Sequence, residues 1–375
     1  MMLLIAVGCV DDGFYERPVA DLAAYAPGDL VRFDRIGHVA ATTIGAYAGS
    51  PSRHGAEVYR ILYRTVGVDG GPDVASARLA VPDDAVPAIP APMLAQLHGT
   101  TGLADRCAPS RPIGFGFSST VDPLAATAIA AGWTVVAPDY LGLGPPGPHP
   151  YTAAGPTATS VLDGIRAAGR LYDPGHGVIL APPTSVALEG HSQGGHAVLA
   201  TVTAAAAYAP ELPIDRAVAL AAPGAPRELL GALLDEDRWG GFIAMAMVGW
   251  SAVYPELDGD WVADPGLADA LDHDCLIGLG AELDAPPSEV LAGEPLSWDG
   301  ALDAEDLGDQ GTAIPLLVLH GTDDDLLPIA LTERYVDRIR AASDAEVTFL
   351  PIDGGDHLWL PRTARAEVAS FVFGL

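Results

Sequence analysis

Apolar, β-branched runs bounded by Gly and Pro recur along the chain, and segments of helical periodicity lie between them. The pattern predicts strands over residues 58–66, 76–81, 92–97, 134–138, 185–189, 217–221, 315–319 and 347–351. The first two form a hairpin across the turn Asp69-Gly70-Gly71. From Pro92 onward, strands alternate with helical segments such as 123–131, 157–171 and 194–207. Such alternation predicts an α/β fold with a mostly parallel central sheet flanked by helices. The interval from Ala221 to Pro315 is too long for one crossover helix. It carries the apolar patch Phe242-Ile243-Ala244-Met245-Ala246-Met247-Val248-Gly249-Trp250 amid acidic segments and reads as a helical cap inserted after the sixth core strand. The Met and aromatic side chains of this patch either line an acyl pocket or serve the cap's own core. The expected organisation is a leader over 1–9, a first core segment over 10–224, the cap over 225–312 and a second core segment over 313–375.

Length adds little: 375 residues suit one large domain with an insertion, or two domains. No apolar run reaches the roughly 18 residues a membrane span requires. Charge is more informative. Asp and Glu total 49 against 19 Lys plus Arg, the formal net charge is -30, and lysine is absent. Nucleic acid is therefore not an expected partner, because phosphate contacts need a basic surface. The acidic excess reads as a solvated face. Acidic groups such as Asp258, Asp260 and Asp264 lack the Gly and Glu of an EF-hand calcium loop and read the same way.

The first nine residues, Met1-Met2-Leu3-Leu4-Ile5-Ala6-Val7-Gly8-Cys9, resemble the cleavage end of a bacterial lipoprotein signal in which Cys9 is lipidated and tethers the protein to a membrane. There is no basic segment before the apolar one, and Ala6 stands where Leu is usual. Either the signal is truncated, or a short apolar terminus packs on the protein. Cys107 and Cys275 remain. In an exported protein they suggest one disulfide; in a cytosolic one they are buried thiols.

Gly190-His191-Ser192-Gln193-Gly194 fits the G-x-S-x-G nucleophile elbow, with an apolar strand before it and a small-residue helix after it. A sharp strand-to-helix turn exposes the serine hydroxyl, and the glycines let strand and helix approach. A serine nucleophile needs a base, and the base needs an orienting acid. In this class the chain order is Ser, acid, His. His357 is the only histidine downstream of the acid candidates in His320-Gly321-Thr322-Asp323-Asp324-Asp325. Spacing to Leu327-Pro328 favours Asp324 as the acid over Asp325. The oxyanion hole needs two backbone N–H donors. One is expected from Gln193, the other from Thr100 in His98-Gly99-Thr100-Thr101-Gly102. His191 and His196 read as shaping the elbow; His149, His273 and His320 read as structural.

With these residues in place, the chain from Val58 onward resembles the secretory lipase family of fungal lipase A-type enzymes and bacterial relatives. The resemblance is carried by Val58-Tyr59-Arg60-Ile61-Leu62-Tyr63-Arg64, His98-Gly99-Thr100, Cys107-Ala108-Pro109-Ser110, Asp139-Tyr140-Leu141-Gly142-Leu143-Gly144, Pro148-His149-Pro150-Tyr151, the elbow, and Tyr208-Ala209-Pro210-Glu211-Leu212. It implies an α/β-hydrolase core, a helical lid, and hydrolysis of carboxylic esters including acylglycerols. It places Ser192, Asp324 and His357 on the triad positions, and Cys107 and Cys275 where fungal members carry a core-to-lid disulfide. The chemistry needs no metal or organic cofactor. The expected substrate is a small-molecule or lipid ester, and the expected location is outside the cell or at its envelope. Alternatives are a short-chain or polyester esterase, a serine peptidase, or an inactive surface binding protein.

Overall fold

The computed structural model describes residues 13–18, 21–111, 122–257, 261–293 and 298–374. The expected leader with Cys9, and Asp258 and Asp260, lie outside the described residues. Nine strands build the main sheet: β1 Leu30–Val39, β2 Ala56–Val66, β3 Pro72–Pro82, β4 Met93–Leu97, β5 Thr134–Pro138, β6 Val186–His191, β7 Ile214–Leu220, β8 Leu316–Gly321 and β9 Val347–Ile352. Their spatial order is β1-β2-β3-β5-β4-β6-β7-β8-β9. The first three strands form an antiparallel ribbon that joins β5, and β5, β4 and β6 to β9 run parallel.

The expected hairpin joins β2 to β3, with the Gly67 N–H donating to the Gly71 carbonyl at 2.8 Å. Strand β1 was not expected. It is an edge strand whose Asp34, Arg35 and Ile36 face solvent, so it lacks the apolar signature of a buried strand. Counting β1, the insertion follows the seventh strand of the sheet, which is the sixth of those anticipated.

The central strands are buried on both faces, which is why their sequences are near-continuous apolar runs. The main helices are α1 Ala41–Ala48, α2 Pro123–Ala130, α3 Ala154–Ala168, α4 Gln193–Tyr208, α5 Pro226–Leu233, α6 Gly240–Ser251, α7 Pro265–His273, α8 Leu276–Leu283, α9 Ile329–Ala342 and α10 Arg365–Phe373. On one face, Val161 and Ile165 of α3 and Val198 of α4 join Leu97 and Leu188 of the sheet. On the other, Ile44, Leu124, Ile129 and Val368 meet Leu94, Val218 and Leu319.

Helices α5 to α8 lie between β7 and β8. Helix α6 is apolar all round and packs into two clusters. Ile243, Met247 and Trp250 pack with Leu233, Trp298 and Leu302, whereas Ala244 and Met245 meet Leu267, Leu271 and Leu279. Asp264, one of the acidic residues weighed for calcium, caps α7: its carboxylate accepts the N–H groups of Gly266 and Leu267 at 2.7 and 2.9 Å.

Two neighbouring links are among those that join the core to this insertion. Cys107 and Cys275 form a disulfide, and residues 101–102 pair with residues 275–276, Thr101 accepting from the Leu276 N–H at 2.8 Å. A buried polar knot lies behind the same loop. Asp139 accepts from the Ser76 hydroxyl at 2.5 Å and the Ser110 N–H at 2.8 Å, tying the segments around Ser110 and Asp139 to β3.

Candidate active site

Ser192 sits between β6 and α4 with φ 57° and ψ -117°, a left-handed conformation rare for a residue with a side chain. The turn is held by its own N–H, which donates to the Leu220 carbonyl at 2.9 Å. Two glycines permit this geometry. A Cβ at Gly190 would lie 2.3 Å from the Gly194 carbonyl oxygen, and one at Gly194 would lie 2.0 Å from that of Leu97. The result projects the serine hydroxyl at the carboxyl end of the parallel strands, where Asp324 follows β8 and His357 follows β9.

The structure brings the three together. His357 donates from Nδ1 to Asp324 Oδ2 at 2.7 Å, which leaves Nε2 to accept from the Ser192 hydroxyl at 3.0 Å. Asp324 is buried, and burial alone would raise its carboxyl. Hydrogen bonds from His320 and His357 and the N–H of Leu327 outweigh that and hold it well below the usual carboxylate range. Its Oδ1 accepts the Leu326 and Leu327 N–H groups at 3.0 and 2.8 Å. Asp325 faces away and accepts from Arg238 of the insertion at 3.2 Å. His191 packs its ring 4.8 Å from that of His357. Burial, with His357 adding, pushes the His191 imidazole down to about 3, so His191 stays neutral beside His357.

The two oxyanion candidates flank Ser192. Gln193 is the first residue of α4. The loop after β4 reaches the elbow: a Cβ on Gly99 would lie 3.9 Å from that of Ser192, and Thr100 follows directly. The Thr100 hydroxyl is hydrogen-bonded to the Tyr151 hydroxyl at 2.7 Å, and the Gln193 amide donates to His149 Nε2 at 3.0 Å.

Ser192 opens onto a cleft, partly continuous with solvent, between the sheet and the insertion. Phe242, Ile243, Ala246, Met247 and Trp250 line it from α6, and Leu229 and Leu230 line it from α5. The apolar patch singled out in the sequence thus divides its faces between the cleft and the insertion's own core. Among the described residues, Glu305 is the one carboxylate on the cleft wall. It is buried, and it accepts the Ala154 N–H at 2.6 Å and the Tyr254 hydroxyl at 2.7 Å.

Residues 119–266 match the secretory lipase family. Over that segment the chain resembles the secretory lipases. Over 315 residues it is 28% identical to a probable inactive lipase of Mycobacterium tuberculosis, a match covering 77% of this chain and 67% of that protein. It is 26% identical over 256 residues to lipase A of Moesziomyces aphidis, covering 66% of this chain and only 50% of the fungal lipase. Among solved structures, the rice cell wall degrading esterase LipA of Xanthomonas oryzae superposes with a TM-score of 0.76 at 21% identity, over 92% of this chain and 98% of the esterase. Candida antarctica lipase A gives 0.73 at 21% identity, over 96% and 85%. These likenesses show the α/β-hydrolase fold.

Sequence reasoning did not assign the partners of the site residues. His320, read as structural, donates toward Asp324; His149, read the same way, holds Gln193; Tyr151 holds Thr100. Their signal was present in the segments His320-Gly321 and Pro148-His149-Pro150-Tyr151, but spacing alone does not say which atoms meet.

Proposed function

We propose that the protein is a serine carboxylester hydrolase that cleaves acyl esters through an acyl-enzyme on Ser192. The observation that carries this reading is the unbroken relay from Ser192 Oγ through His357 to Asp324, with links of 3.0 and 2.7 Å. His357 takes the serine proton as Oγ attacks the ester carbonyl, and the N–H groups of Thr100 and Gln193 hold the oxyanion. His357 then protonates the leaving alcohol. Water, activated by the same imidazole, releases the acid. Asp324 fixes the tautomer and stabilises the imidazolium. The acyl chain lies along the apolar wall of the cleft, and residues 225–312 act as its cap. The family's secretory character and the Cys107–Cys275 disulfide favour an exported protein.

A second reading, a binding protein without activity, is raised by the probable inactive lipase among the relatives. The relay argues against it, because binding alone gives no reason to keep a strained serine on a paired histidine. Hydrolysis of p-nitrophenyl esters from short to long chains, comparing the parent with Ser192→Ala, tests the proposal. Turnover that disappears in the variant supports it. A parent inactive on every ester, or a variant as active as the parent, would move the binding reading to the front.

A further inference from the structure

His149 and Tyr151, separated by Pro150, each reach one of the two oxyanion candidates. His149 Nε2 accepts the side-chain amide of Gln193 at 3.0 Å, and the Tyr151 hydroxyl meets Thr100 Oγ1 at 2.7 Å. Nothing leaves this segment free to drift. His149 Nδ1 donates to the Leu141 carbonyl at 2.7 Å. Gly142 packs so closely that a Cβ there would lie 2.1 Å from the Pro148 carbonyl oxygen. Thr152, next in the chain, is held at φ 55°, strain that persists only where surroundings over-determine it. On the far side, α6 touches the segment through Gly249, where a Cβ would lie 2.4 Å from the Tyr151 nitrogen.

We propose that His149-Pro150-Tyr151 is a strap that positions the oxyanion hole, His149 by holding Gln193 and Tyr151 by holding Thr100. The two are positioning residues, and the inference rests on the ester hydrolase reading above. The donors sit on different elements, the start of α4 and the loop after β4. Their separation is therefore not fixed by either element alone, and one rigid segment bonded to both fixes it. Tyr151 has a second effect. When its hydroxyl donates to Thr100 Oγ1, the threonine proton is free to turn toward the oxyanion. Such contacts act when negative charge develops on the carbonyl oxygen, so they belong to the transition state more than to substrate binding.

The test is steady-state hydrolysis of a p-nitrophenyl ester by the full chain, with the inhibition constant of a trifluoromethyl ketone, whose adduct with serine carries an oxyanion. Tyr151→Phe removes one oxygen and keeps the ring. His149→Leu removes the acceptor, and His149→Gln restores one at similar reach. Tyr151→Phe and His149→Leu are expected to lower kcat about tenfold to a hundredfold, less than the loss of an oxyanion donor itself. KM should stay within about twofold, the ketone should weaken in parallel with kcat, and His149→Gln should recover most of the loss. Thermal melting of each variant reports whether the fold is intact. Unchanged kcat in both variants, or a fall in kcat with no weakening of the ketone, overturns the strap while leaving the hydrolase reading standing. So does a His149→Gln variant as slow as His149→Leu. A parent that neither turns over esters nor binds the ketone sinks the hydrolase reading and the strap with it.

Discussion

His320 places Nε2 3.2 Å from Oδ2 of Asp324, the same oxygen that accepts from His357. Nδ1 of His320 is bonded to the Thr332 hydroxyl at 2.8 Å, and Nε2 also reaches the Leu327 carbonyl at 2.8 Å, so the buried ring is fixed at both ends. Asp324 is thereby kept ionised and aimed, whereas Asp325 is engaged at the surface with Arg238. Asp324→Asn should lower kcat by about 10⁴, the effect of presenting the wrong tautomer to a serine nucleophile. Asp325→Asn should stay within about threefold of the parent, as exposed ion pairs contribute little. Parallel kinetics of the two variants check this, and equal losses would leave the acid unassigned.

The apolar lining of the cleft sets an expectation for acyl-chain preference. Ala246 lies on the cleft wall midway along α6, where a large side chain would narrow the cleft. Ala246→Trp should lower kcat/KM on long esters by tenfold or more while short esters change by less than about threefold, since each buried methylene contributes ~0.8 kcal/mol. Chain-length profiling of parent and variant decides it. A uniform loss at all lengths would place the acyl chain elsewhere.

The disulfide anchors the loop that carries Thr100. Cys107 and Cys275 are 168 residues apart in sequence, so the link constrains a long stretch of the unfolded chain. The double variant Cys107→Ser/Cys275→Ser should lose about 2–5 kcal/mol of stability. Its kcat should fall at temperatures where the fold survives, because residues 101–102 pair with residues 275–276 beside the bond. Urea unfolding and assays at low temperature measure the two effects separately.

Beneath the elbow, Glu189 and Asp122 share the Gln96 side-chain amide. Burial, with the Asp122 charge adding and Gln96 partly offsetting, raises the Glu189 carboxyl from its ordinary 4.5 to about 8. Between those values the folded protein keeps a proton that the unfolded chain releases. This group therefore makes stability fall as pH rises from about 4.5 to about 8. Glu189→Gln should remove that slope, raising the melting temperature more at pH 8 than at pH 5. An equal change at both pH values would contradict it.

The parallel core was legible because strands buried on both faces are written as short β-branched runs, and the elbow because its glycines are forced by contacts near 2 Å. Strand β1 was hidden by its exposed Asp34, Arg35 and Ile36. The faces of α6 were hidden too, since periodicity cannot assign sides to a helix apolar all round. Contacts such as Gln193 to His149 depend on side chains 44 residues apart, and no local pattern encodes them.

The most direct measurement is the intact mass of the protein after exposure to a fluorophosphonate. A nucleophilic Ser192 displaces fluoride and keeps the phosphonyl group, so the parent should gain one adduct and Ser192→Ala none. No adduct on the folded parent, or equal labelling of the variant, would contradict the account.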